Sequence, residues 1–365
     1  MNFERNLSYE LNMHDTNQVL YSVSRLPVLQ NRVFSSAAAA INCSHGDVTL
    51  IRDERTGIIH NSTFDPKLVV YDEAYDNEQS YSTAYLEHLK EVTQLILQHL
   101  GSERLFEIGC GKGRLIEALQ HSDCDVSGCD RSYVGKNPRV IRDLYPFENA
   151  PKHKHLILRH VLEHIPDPIA FLRTIAEVNH GGMIYIEVPC LEWILQKRTW
   201  FDVFYEHVNY FQLADFQRCF SKTHAAGHFF GGQYLYVIAD LDDLLDEPSI
   251  SESVAATSAV SIPEDFEPKF EETAKPDDVV WGAASKGVRY CLARQQRGCP
   301  VDAAVDINPA KQNHFLPGSG VRVISPEEFL HSYSTPRRIV VMNSNYFDEI
   351  YSLAGSEYEY EVIDK

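Results

Sequence analysis

The chain has 365 residues, 44% of them hydrophobic and 23% charged, enough for two or three globular units and too apolar for disorder. Its 33 Lys and Arg face 52 Asp and Glu, and a formal charge of -19 repels phosphate backbones and anionic lipid, so the expected partner is a small molecule, with no nucleic acid and no membrane. The eight cysteines form no C-x-x-C pair and no apolar run approaches the roughly 20 residues that span a bilayer, so reduced thiols and a cytoplasmic location are expected. The start, Met1 to Asp15, is acidic and polar and lacks the order of a signal peptide.

In chain order, residues 1–81 are the least regular, with short strands expected near Val48–Ile51 and Gly57–His60. A helix is predicted over Ser82–Leu100. From Leu105 to Ala239, β-rich runs (LFEIG, CDVSGCD, HLILRH, GMIYIEV) alternate with helical patterns (GRLIEALQ, DPIAFLRTIAEV), the rhythm of a parallel sheet with crossover helices. Between Asp240 and Asp278, thirteen acidic residues face two lysines, with four prolines, which reads as an acidic connector. VVWGAA, VDAAVDI and RIVVMN then repeat the rhythm on a smaller scale. The predicted class is therefore α/β, divided into a small irregular α+β module (1–81), a central α/β domain (82–240), an acidic linker (241–276) and a C-terminal α/β domain (277–365).

Phe106-Glu-Ile-Gly-Cys-Gly-Lys-Gly113 falls where a buried strand turns into a helix. Glycines there let the backbone approach a ligand, and the helix start offers unpaired N–H groups. The next strand ends in Asp130, 21 residues beyond Gly109, where a carboxylate can accept both hydroxyls of a ribose. The E-x-G-x-G-x-G form lacks the G-x-G-x-x-G spacing of dinucleotide sites, which disfavours a nicotinamide-dependent oxidoreductase.

FEIGCGKG, Asp130, Asp143-Leu144 and LRHVLEHIPDPIAFL together resemble the class I S-adenosylmethionine-dependent methyltransferases, whose central domain is Rossmann-like. The resemblance implies S-adenosylmethionine as cofactor, held by Glu107, Gly109, Gly111, Asp130, Asp143, Leu144 and His160. IEVPCLEWIL, FYEHVNYFQLADFQRCF, GGQYLYVIA, WGAASKG and VDINPAKQNHFLPGSGVRVISPEEF look like the three-part C-methyltransferases that act on nucleotide-linked 4-keto deoxysugars. That architecture implies an N-terminal zinc-binding module acting as a substrate lid and a C-terminal Rossmann-like domain. This chain departs from it: where relatives carry C-x-x-C-G it has Asp53-Glu-Arg-Thr56-Gly57, and no metal site is expected, Cys43 and His45 being only two isolated ligands.

Carbon methylation beside a ketone needs a base for the α-proton and a donor for the enolate. Tyr205-Glu206-His207 offers those groups: His207 as base, as the resemblance also implies, Glu206 to assist it, and Tyr205 as an oxyanion donor. Tyr75, Asn77 and Gln79 resemble the stretch that closes over the cofactor, while Glu163-His164 either starts a helix or faces the site. In the C-terminal unit, Lys286 of WGAASKG could meet a diphosphate, and Asn343, Asn345 and Tyr346 end a strand on the ligand edge; Lys286, Asn343 and Tyr346 are the acceptor-binding candidates. O- or N-methylation of another metabolite, or a non-catalytic cofactor-binding protein, are the alternatives. The oligomeric state is left open.

Overall fold

The structure is a computed structural model, which describes residues 18–71, 75–248, 260–333 and 337–365. The start of the N-terminal module and the middle of the acidic connector lie outside the described residues. Three sheets organise the rest.

The first is antiparallel, β1 (Val19–Pro27), β2 (His45–Arg52), β3 (Ile59–Asn61) and β9 (Asn209–Tyr210), in that order. Since β9 comes from the segment that follows Tyr205-Glu206-His207, the N-terminal module is stitched to the central domain through backbone hydrogen bonds. At Asp53–Gly57, Asp53 Oδ1 accepts from the backbone N–H and the hydroxyl of Thr56, at 2.6 and 2.7 Å, and closes the turn. Buried Arg218 donates through Nε to the carbonyl of Thr56 at 3.0 Å and pairs with Asp215. A β-carbon on Gly57 would lie 2.7 Å from that guanidinium, so the two parts meet too closely for a side chain.

The second sheet has seven strands in the order β10-β11-β8-β7-β4-β5-β6. These are β4 (Leu105–Ile108), β5 (Val126–Cys129), β6 (Val140–Ile141), β7 (His155–Arg159), β8 (Met183–Pro189), β10 (Thr223–Phe229) and β11 (Tyr234–Asp240). β6, β5, β4, β7 and β8 run parallel, as the rhythm predicts. β11 is antiparallel to both β8 and β10, a departure from the expected parallel sheet. The reason is the short Phe230–Gln233 connection, which can only return the chain as a hairpin. The predicted helix spans Thr83–Leu100, capped by Ser82, and buries Leu89, Val92, Ile96 and Leu100 as one stripe.

The third sheet is parallel throughout, in the order β14-β13-β12-β15-β16: β12 (Val279–Trp281), β13 (Ala303–Val305), β14 (Val323–Ile324), β15 (Arg338–Val341) and β16 (Glu359–Val362). Asp278, fully buried just before β12, binds Arg294 at 2.8 Å and Arg338 at 2.6 Å, tying the helix Ser285–Gln296 and β15 to the strand between them. In both larger sheets the strand order reverses beside the first strand, β4 or β12. Such a point opens a crevice at the carboxyl edge. Among the described residues no helix is long and apolar enough to cross a membrane.

Candidate active site

The turn after β4 is built as its glycines require. Gly109 has φ 71° and Gly111 φ 53°, and a β-carbon on Gly109 would lie 2.5 Å from Val161. Asp130, past the end of β5, accepts from the backbone N–H of Gly111 at 2.8 Å and from the backbone N–H and hydroxyl of Ser132, both at 2.7 Å, so it holds the loop and keeps an Oδ2 lone pair free for a hydroxyl. Beneath the loop, burial pushes the Glu107 carboxyl up to about 7 against the pull of Arg159, and its Oε2 has no hydrogen-bond partner. Nothing lies within 4 Å of a β-carbon built on Gly111. A loop with open space, a strand-end carboxylate and an unpartnered buried oxygen fits a nucleoside-bearing amino-acid cofactor. Asp143 and Leu144 lie exposed, just after β6.

Among the described residues a cavity opens between the two larger sheets and the N-terminal module. From the central domain it is lined by His160, Glu163, His164, Pro189, Glu206 and His207; Tyr75, Asn77 and Gln79 close another wall. The C-terminal unit contributes Lys286 at the start of the helix Ser285–Gln296, and Asp306, Asn343 and Tyr346 in the turns after β13 and β15. Carboxyl edges of two sheets therefore face one space.

His160, held at φ 52°, sits between two carboxylates, with Nε2 3.0 Å from Glu187 and Nδ1 3.4 Å from Glu163. Burial works against its charge, but the carboxylates of Glu163 and Glu187 outweigh it and push the imidazole up to about 9. Glu206 is buried. Burial raises its carboxyl, which accepts from the backbone N–H of Gln30 at 3.1 Å, from Tyr75 at 2.9 Å and from Tyr71 at 3.5 Å. His207 packs on Phe204 with ring centroids 4.0 Å apart and at 4.8 Å from His164. Burial, and then the nearby imidazoles of His164 and His160, hold it well below the ordinary imidazole range, so it is neutral with its lone pair available.

Tyr205 departs from the role the sequence suggests for it. Its ring packs on Phe64 and over Gly46, where a β-carbon would lie 2.1 Å away, and its hydroxyl exchanges hydrogen bonds with the backbone of Asp65 at 2.8 and 3.3 Å. The phenol is anchored to the N-terminal module and does not line the cavity. Lys286 lies 3.2 Å from Asp202 and 4.7 Å from the Trp193 ring centroid; Asp202 carried no sequence signal beyond its charge. Tyr346 donates to Gln79 at 3.0 Å and Asn343 to Gln233 at 2.8 Å, closing the cavity between domains. Glu163 and His164, ambiguous in the sequence, meet His207 at the cavity wall.

A methyltransferase-domain profile matches residues 81–225, and a C-methyltransferase C-terminal domain profile matches residues 272–359. Together with the strand order and the loop after β4, these define a class I S-adenosylmethionine-dependent methyltransferase acting on a small molecule. The chain carries in addition the C-terminal domain of the C-methyltransferases. It is 23% identical to the C-methyltransferase NovU of Streptomyces niveus over 307 residues, 73% of each chain. It is also similar, at 27% over 105 residues, to the ubiquinone biosynthesis O-methyltransferase of Aliivibrio fischeri, covering 24% of this chain and 44% of that one. Among solved structures, magnesium protoporphyrin IX methyltransferase from Synechocystis with bound SAH aligns over 46% of this chain and 90% of that one, at 15% identity and a TM-score of 0.35.

Proposed function

We propose that this enzyme C-methylates a nucleotide-linked 4-keto deoxysugar through a base-generated enolate. The observation that carries the reading is the neutral imidazole of His207, free of hydrogen bonds among the described residues, on the wall of a cavity whose far side is the strand-end surface of a second Rossmann-like unit. The likeness to NovU over most of both chains adds to it. When bound, S-adenosylmethionine supplies an electrophilic methyl group. Glu107, Gly109, Gly111, Asp130, Asp143 and Leu144 would hold it at the carboxyl edge of β4 and β5, together with His160, Tyr75, Asn77 and Gln79.

His207 takes the α-proton of the acceptor, leaving a nucleophilic enolate carbon; the cofactor would supply the methyl group to it, the C–S bonding pair staying with sulfur as the neutral thioether leaves. Glu206 fixes the segment that carries this imidazole. Tyr75, on the cavity wall, would turn its hydroxyl from Glu206, 2.9 Å away, to donate to the developing oxyanion, the part the sequence suggested for Tyr205. Lys286 releases Asp202 to meet the diphosphate, and Asn343 and Tyr346 bound the nucleotide end.

Mass spectrometry of reactions with S-adenosylmethionine and a panel of nucleotide-linked 4-keto-6-deoxysugars tests this reading, run in deuterated water to follow α-proton exchange. The expected product is one methyl group heavier, and His207→Ala loses both transfer and exchange while binding cofactor normally. Transfer at the parent rate by His207→Ala would remove the base assignment. Cofactor binding without any heavier product across the panel would reject the substrate class and redirect the search to oxygen and nitrogen acceptors.

A further inference from the structure

Glu163, His164 and His207 bring one ligand atom each to within 4.8 Å of one another. Glu163 is 1% exposed, and neither of its carboxylate oxygens has a hydrogen-bond partner; His160 Nδ1 stands off at 3.4 Å from Oε1, leaving Oε2 open. A buried carboxylate is costly unless cations meet it, and His160, which it shares with Glu187, approaches only Oε1. His164 Nδ1 lies 2.8 Å from the backbone carbonyl of Glu206. A carbonyl only accepts, so Nδ1 carries the proton and Nε2 is left as a bare lone pair, the arrangement in which a backbone carbonyl orients a metal-binding imidazole. The imidazole of His207 makes no hydrogen bond among the described residues.

Two neutral imidazoles and a carboxylate suit Zn²⁺ and its transition-metal neighbours rather than Mg²⁺ or Ca²⁺, which prefer all-oxygen shells. Metal–ligand bonds of about 2.0–2.1 Å place tetrahedral ligand atoms roughly 3.3 Å apart, so modest side-chain rotations bring the three atoms into range. The cavity side leaves a fourth position open. His160 is shared between Glu163 and Glu187, and with the buried carboxylate of Glu206 behind them the wall is short of positive charge, which a divalent ion supplies.

We propose that Glu163, His164 and His207 form a site for a divalent transition-metal ion of the zinc type in the cavity wall, and that its occupation excludes proton abstraction by engaging the lone pair of His207. The site stands on its own geometry. The exclusion rests on His207 being the base, and it makes the ion a reversible inhibitor that competes with the acceptor.

Cobalt(II) titrated into the metal-free full-length enzyme, without methyl donor, reads the site by its visible d–d absorption. One equivalent per chain is expected. Glu163→Gln, which keeps the side-chain volume, and His164→Asn each weaken binding by at least about 100-fold, beyond the ~10–100-fold that loss of an outer-shell partner costs. His45→Asn, beside Cys43 on the first sheet, keeps the band. The absence of a band in the parent, or a band undiminished in both variants, would overturn the site. In a second arm, zinc suppresses exchange of the acceptor's α-proton in proportion to occupancy and a chelator restores it. Undiminished exchange at saturating zinc would overturn the exclusion. A metal-free enzyme that exchanges no acceptor's α-proton would instead count against C-methylation, and the cobalt band would still decide the site.

Discussion

Glu107 shows how a single side chain couples the cofactor site to stability. Its carboxyl is raised to about 7 in the folded protein, against about 4.3 in the unfolded chain, so the folded state holds the proton more tightly. The stability this lends is fully present below the unfolded value and is lost as pH rises through about 7. Glu107→Gln, neutral at every pH, should therefore melt close to the parent at pH 4 and above it at pH 8, with thermal scans across that range as the check. The same variant should bind S-adenosylmethionine more weakly, measured by calorimetry. At Tyr205 the hydroxyl reaches only the backbone of Asp65, so Tyr205→Phe should leave the rate of methyl transfer within about twofold. It should cost about 1 kcal/mol of stability, the net worth of an ordinary hydrogen bond. A rate loss of 100-fold would restore Tyr205 to the chemistry.

Between elements, the strongest ties are buried ion pairs. Asp278 holds Arg294 from the helix Ser285–Gln296 and Arg338 from β15, and all three are buried. Removing the carboxylate strands two guanidinium groups in the interior, and Asp278→Ala should cost about 3–5 kcal/mol in urea unfolding. Little change in the midpoint would mean that water reaches the arginines. Arg218 plays the corresponding part for the N-terminal module, binding the carbonyl of Thr56 across the interface. The sequence announces these charges but not their partners, because the pairing residues are tens of positions apart and no local pattern links them. The helix Thr83–Leu100 was legible, since its stripe and its Ser82 cap are local features.

For the molecule as a whole, the cavity is formed between the two larger sheets and the N-terminal module, by Asn31, Tyr75 and Asn77 on one side. Lys286 is on its C-terminal wall, far from the turn after β4 that would hold the cofactor. Lys286→Gln should raise the KM for a nucleotide-linked acceptor about tenfold to 100-fold, the equivalent of a charged hydrogen bond worth about 1.5–3 kcal/mol. Cofactor affinity should stay unchanged by calorimetry. A variant that lost both affinities equally would mean that Lys286 shapes the domain interface instead of meeting the acceptor.

Local chemistry made the glycine turn, Asp130, the strand rhythm and the two Rossmann-like units readable from the amino-acid order, because φ-permissive glycines, helix starts and β-rich runs act within a few residues of themselves. The antiparallel β10 and β11 lay in the brevity of Phe230–Gln233, a local feature overlooked in favour of the parallel rhythm. The direction of Tyr205, the tautomer of His164 and the meeting of Glu163 with His207 were decided by the tertiary structure alone. Each depends on a ring, a carbonyl or a carboxylate brought from a distant part of the chain, and the energy of that contact has no counterpart in the order of residues around it.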